Sequence, residues 1–206
     1  MIKKIKIILL GSLIFSLSTK GQQLFNKNNS HENELYRPNF HFTPQKGWMN
    51  DPNGMFYKDG YYHLYFQHNP NENTWGTIHW GHAISTDLIT WKEMPIAIYP
   101  DSLGLIFSGS AVVDKNNTSG LGKNGIIPLV AMYTSHDMVK EKAGAIDVET
   151  QSLSYSLDEG KTWVKYENNP VLKNPGVRDF RDPKIIWHES SKKWIAAIAA
   201  QDQISF

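Results

Sequence analysis

Ser85-Thr86-Asp87, followed by Trp91, recurs as Ser156-Leu157-Asp158, followed by Trp163. The serines stand 71 residues apart and the tryptophans 72, and a fixed long period marks a repeated architecture. Around each copy the chain has the texture of strands. Tyr61-Tyr62-His63-Leu64-Tyr65-Phe66 and Leu129-Val130-Ala131-Met132-Tyr133 are short, aromatic or β-branched, and bounded by turn residues. Past the N-terminal stretch, no segment carries a sustained helical stripe. Asp51, Ser110 and Asp182 each open a unit, at spacings of 59 and 72 residues. The first unit predicts strands over 55–58, 61–68, 80–85 and 90–98; the second predicts them over 110–114, 128–134, 152–156 and 162–166. A third begins at Asp182 and includes 194–200. Four-stranded units repeated about an axis are propeller blades, with their chemistry at the inner-strand ends. Trp91 and Trp163, needed in both copies, read as blade core. The expected fold is all-β, with about two and a half blades where propellers have four to eight, so the sequence reads as part of a longer protein.

Trp48-Met49-Asn50-Asp51-Pro52-Asn53-Gly54 carries the chemistry. It sets one carboxylate, Asp51, between side-chain amides. Pro52 fixes its own φ and pushes Asp51 out of the helical region, and Asn53-Gly54 is a turn dipeptide tolerant of positive φ. The expectation is a rigid turn. A fixed carboxylate with amide donors and an indole beside it suits a site that grips a polyol. Phe180-Arg181-Asp182-Pro183 supplies a second Asp-Pro carboxylate at a unit opening, with a cation next to it. Spacing alone pairs Asp51 with Asp182, as the two carboxyl groups of a sugar-cleaving site are paired. Arg181 would keep Asp182 ionised and bond sugar oxygens.

With Tyr65-Phe66-Gln67, Trp75-Gly76 and Phe107-Ser108-Gly109-Ser110, these segments resemble glycoside hydrolase family 32, the invertases, levanases and inulinases. The resemblance covers nearly all of the chain after about Tyr36. It implies a five-bladed β-propeller with an appended C-terminal β-sandwich, of which residues 36–206 would be the first part and the sandwich would be missing. It implies a secreted β-fructosidase acting on fructan (levan, inulin) or sucrose by a retaining double displacement. By the same resemblance Asp51 is the nucleophile and Asp182 stabilises the transition state through fructose hydroxyls. The acid/base is a glutamate of a Glu-Cys motif expected beyond Phe206. Trp48, Asn50, Gln67, Trp75, Phe107, Ser108, Ser110 and Arg181 match substrate-contacting positions. No cofactor and no metal is implied. The alternatives are a fructosyltransferase, or a non-catalytic fructan-binding propeller or inactive fragment.

Composition narrows the setting. Lys3, Lys4 and Lys6 precede an apolar run over 7–17, then small and polar residues to Gly21, the layout of a cleaved signal peptide over 1–21. Eleven residues are too few to span about 30 Å of hydrocarbon as a helix. Residues 22–35 read as a flexible polar lead-in. Export to the periplasm or the extracellular space is therefore expected, with no membrane attachment after cleavage. The chain contains no cysteine, so disulfides and thiolate sites are excluded. A net charge of +1 points to neither nucleic acid nor an anionic membrane as partner. His79 and His82 lie three apart on a predicted strand and should point to opposite faces rather than pair on a metal. Asn117-Thr118-Ser119 reads as a plain loop, and Lys140-Glu141-Lys142 as a solvated charged patch.

Overall fold

The computed structural model describes residues 34–38, 41–201 and 203–205. The leader expected over 1–21 and most of the lead-in over 22–35 lie outside the described residues. Glu34–Arg37 forms a small turn of its own, in which Arg37 Nε meets Glu34 Oε2 at 2.8 Å. Everything described from Pro38 onward forms one compact unit.

That unit is built of three antiparallel sheets. The first holds β1 (Trp48–Lys58), β2 (Tyr61–Asn69), β3 (His79–Ser85) and β4 (Trp91–Ile98) in chain order. The second holds β5 (Leu105–Val113), β6 (Leu129–His136), β7 (Glu149–Ser156) and β8 (Val164–Lys165), with a one-turn helix α1 (Met138–Lys142) between β6 and β7. The third holds β9 (Arg181–His188), β10 (Lys193–Ala200) and β11 (Gln203–Ser205). The first strand of each sheet touches the first strand of the next, β1 on β5 and β5 on β9. That is the fanwise order of blades about an axis, and the expected all-β propeller architecture is what the chain adopts.

The blades are held face to face by the two-residue alternation of strands. Tyr65 and Trp80 of the first blade meet Ile106, Ala111 and Tyr133 of the second. Met132, one residue from Tyr133, points the other way and packs on Phe180, Ile185 and Ile198 of the third. This explains why β6 is buried at every position: it has a blade on each side. The sequence repeat is the turn between the third and fourth strands. Ser85 Oγ accepts the N–H groups of Asp87 and Leu88 while Asp87 Oδ1 accepts those of Ile89 and Thr90. Ser156 and Asp158 repeat the device around Gly160 and Thr162. Trp163 then packs edge-on against Tyr65 at 5.6 Å, and Trp91 packs near Phe42 at 6.1 Å.

Trp48 to Gly54 is not a turn. It lies within β1, where the pairing with β2 slips between Met49 and Pro52 and again between Asn53 and Phe56. Two bulges do the bending that the Pro-Asn-Gly sequence suggested a turn would do. Gly54 keeps the expected positive φ, at 57°, and a Cβ there would come within 2.9 Å of the buried Trp80 ring. The loop at Asn117 is folded as a plain loop, with Asn117 Oδ1 accepting from Gly122 N at 2.7 Å.

Candidate active site

Each of the three inner strands breaks register, β1 twice, and one break from each strand carries a polar group toward the same place. In β1 the residues Asn50-Asp51 face the single residue Gln67. In β5 Phe107-Ser108 face Thr134, and in β9 Asp182-Pro183 face Ile198. A bulge puts two residues where the partner strand has one and re-aims a side chain, so each blade offers a polar group from its bulge, Asp51 and Ser108 from the second bulge residue and Asp182 from the first. The structural counterpart of Asp51 in the second blade is therefore Ser108. Ser110 was expected to occupy that place, and it does not. It is buried, its Oγ donates to Pro183 O at 2.9 Å and accepts from Ile185 N at 3.0 Å. Its one O–H is committed to stitching β5 to β9.

Asp51 is exposed and carries two neutral donors. Ser108 Oγ donates to its Oδ2 at 2.9 Å across the blades, and Asn50 Nδ2 donates to Oδ1 at 3.0 Å. Among the described residues no cation pairs with it. Asp182 has a different setting. Its φ is 58°, in the left-handed region, where aspartate is one of the tolerated residues. Its backbone N–H donates to Thr134 Oγ1 at 3.1 Å, and Thr134 in turn donates to Gln151 Oε1 at 2.8 Å. Gln151 Nε2 donates to Phe180 O at 2.6 Å, and Phe180 N donates to Glu149 Oε2 at 3.0 Å. Three buried side chains of the second blade thus brace the motif of the third.

The Asp182 side chain is about half exposed, at 50%. Its pKa is nevertheless raised. Loss of solvent around it is the chief cause; Arg181 opposes the rise, and the charges of Asp51, Glu149 and Asp179 add to it. The electrostatic coupling to Asp51 places the two carboxylates in one field. Arg181 does not pair with Asp182 alone. Its Nη2 lies 3.2 Å from Asp179 Oδ1, its Nη1 3.6 Å from Glu149 Oε1, and its Nε 3.9 Å from Asp182 Oδ2.

Beside this cluster opens a cavity of about 290 Å³ walled by Trp75, Phe107, His136, Glu141, Arg178 and Arg181, among others. Trp75 and Phe107 meet edge to face at 6.4 Å, and Phe107 lies flat on His136 at 4.2 Å. Trp48 is half-buried at the start of the β1 bulge, and Gln67 is buried opposite it. Sequence reasoning missed His136, Glu149 and Glu141. Glu141 had been read as part of a solvated patch; it sits on α1, half exposed, and its Oε2 lies 3.3 Å from His136 Nε2. The Asp137 side chain caps that helix, which folds Glu141 back over the cavity. Only the burial of Glu149 could have flagged it, and the local sequence does not encode burial. His79 and His82 do point apart: His79 meets Tyr99, whereas His82 stacks on Tyr65 and contacts His63.

The sequence model described as "Glycosyl hydrolases family 32 N-terminal domain" matches residues 41–206. A levanase of Bacillus subtilis (strain 168) is 54% identical over 175 residues, 85% of this chain and 25% of that protein. An extracellular exo-inulinase of Aspergillus awamori is 50% identical over 177 residues, 78% of this chain and 33% of that protein. The crystal structure of exo-inulinase from Aspergillus awamori superposes with a TM-score of 0.70 at 46% identity, over 80% of this chain and 35% of that one. A fructofuranosidase from Schwanniomyces occidentalis complexed with fructose gives 0.70 at 49%, over 78% and 31%. The chain spans between a quarter and a third of the length of the two curated relatives named here.

Proposed function

The chain belongs to glycosyl hydrolase family 32, and from that membership we propose that its site hydrolyses terminal β-fructofuranosyl residues of fructans or sucrose. The observation that carries the reading is that Asp51 and Asp182, both at inner-strand bulges, lie in one electrostatic field, the first held by neutral donors and the second near Arg181. Two carboxylates with unlike surroundings suit unlike roles.

In this reading Asp51 attacks the anomeric carbon, with Ser108 and Asn50 fixing the direction of its lone pairs. Neutral donors orient a carboxylate without the full charge neutralisation of a cation, so it remains a usable nucleophile. Asp182 accepts hydrogen bonds from the fructosyl hydroxyls, and these tighten as positive charge develops on the ring. Trp48, Trp75 and Phe107 offer ring faces to sugar C–H surfaces. Asn50 and Arg181 offer donors, and Gln67, behind the first bulge, backs Asn50. The proton given to the leaving oxygen is not assigned to any residue of this chain. The basic and then apolar start of the sequence supports export, as does the likeness to an extracellular exo-inulinase. Among the described residues no helix is long and apolar enough to cross a membrane.

The test is Asp51→Asn in the full natural chain, assayed for fructose released from levan, inulin and sucrose. The substitution keeps the shape of the side chain, so melting should be unchanged while turnover disappears. Trapping of a covalent fructosyl adduct on a residue other than Asp51 would overturn the assignment.

A further inference from the structure

We propose that Glu149 is the positioning residue of this site, one buried carboxylate that sets both the Arg181–Asp182 pair and the aromatic wall at Phe107. The proposal rests on the fructosidase reading above and adds to it a group that no sequence motif marks.

Glu149 is 2% exposed, at the start of β7. A carboxylate so buried must be paired or bonded to keep its charge. Its Oε2 accepts the Phe180 N–H at 3.0 Å, at the entry to the strand that carries Asp182. Its Oε1 lies 3.6 Å from both Arg181 Nη1 and His136 Nδ1. Oε1 therefore faces two walls of the cavity at once, while Oε2 anchors the approach to β9. One wall is Arg181, which Glu149 and Asp179 hold from the guanidinium end while Nε faces Asp182. The other is the imidazole of His136, which is stacked flat under Phe107 with an interplanar angle of 7°. Phe107 belongs to the same bulge as Ser108, which holds Asp51.

The groups facing His136 are Glu141 from α1, Glu149 from β7 and Phe107 from β5. Arg178 and Arg181 line the same cavity. Burial alone would lower the pKa of His136, but the two glutamates outweigh it and the net direction is upward. Glu149 also adds to the upward shift of Asp182. Its removal therefore has two electrostatic signatures that a purely structural role would not produce.

The experiment compares Glu149→Gln and Glu149→Asp with the unaltered full chain. The glutamine keeps the volume and an acceptor for Phe180 N–H but loses the charge; the aspartate keeps the charge but loses a methylene of reach. In Glu149→Gln, misplacement of Arg181 and Asp182 should lower kcat by about 10- to 100-fold with KM changed much less. The acid limb of the kcat/KM profile should move to lower pH, because Asp182 loses a neighbouring negative charge and gains a freer Arg181. The His136 titration midpoint, read by NMR, should fall as well. Glu149→Asp should restore the acid limb while leaving kcat low. A Glu149→Gln protein with an unchanged acid limb and unchanged His136 midpoint overturns the proposal. If the unaltered chain releases no fructose, the functional reading fails. The His136 midpoint in Glu149→Gln still decides the role of Glu149 by itself.

Discussion

Two serines two residues apart do opposite jobs. Ser108 donates to an exposed carboxylate at the mouth of the site, whereas Ser110 is locked between Pro183 O and Ile185 N. Ser108→Ala should therefore lower kcat by roughly 10- to 100-fold, the worth of a hydrogen bond to a charged group, with melting nearly unchanged. Ser110→Ala should leave KM alone and lower stability by about 1–3 kcal/mol, because it orphans a buried N–H and a buried carbonyl. Denaturant unfolding and steady-state kinetics on the two variants separate these outcomes; the reverse pattern would sink the assignment. The Phe-Ser-Gly-Ser string made both serines candidates, and nothing in it tells them apart. The difference is set by a bulge, and a bulge is a property of the pairing with β6, whose Thr134 faces it from 26 residues beyond Ser108. Asp51, Asp182 and Arg181 were legible because proline and an adjacent charge mark them locally. Glu149 was not, since its partners in space come from β6 and from the start of β9.

At the level of elements, the Ser-x-Asp turn was the legible unit, and its chemistry explains why. Ser85 and Asp87 satisfy four backbone N–H groups within six residues, and Ser156 with Asp158 repeats the arrangement. A device made wholly of local contacts shows in sequence as a local pattern. Asp158→Ala should thus loosen one turn without touching the site. The expected cost is about 1–2 kcal/mol of stability, read by thermal melting, at unchanged KM. The strands themselves were placed from alternation, but their inner ends were not. β1 starts at Trp48 and β5 at Leu105, earlier than the 55 and 110 expected. Proline and glycine in β1, and glycine in β5, broke the strand pattern where the bulges lie, and the sequence there reads as turn.

For the molecule as a whole, the interface between the first two blades contains a pair of buried imidazoles. His63 Nδ1 and His82 Nε2 lie 3.1 Å apart, stacked among Phe56 and Tyr65. Burial lowers His63 to about 4 and His82 to about 3, and the charge of Lys58 acts in the same direction on His63. Both take up protons more readily when unfolded. Their contribution to stability is complete above the ordinary histidine pKa of about 6.5 and is lost as pH falls toward the folded values. At pH 5 the loss is about 2 kcal/mol for His82 and slightly less for His63, whose folded pKa is the higher of the two. His136 acts in the opposite sense, since its raised pKa favours the folded state at low pH. His82→Asn should flatten the fall in melting temperature between pH 7 and 5; an unchanged slope would count against the pair as its source. The seams between blades are tied from both sides. Trp80 of the first blade donates to Phe107 O of the second, and Gln151 of the second donates to Phe180 O of the third. In return Ser108 of the second blade donates to Asp51 of the first, and Asp182 N–H of the third donates to Thr134 of the second, so neither blade of a pair has a finished edge until its neighbour is in place. Protection from hydrogen exchange should therefore be gained in pairs, β2–β3 together with β5, and β6–β7 together with β9.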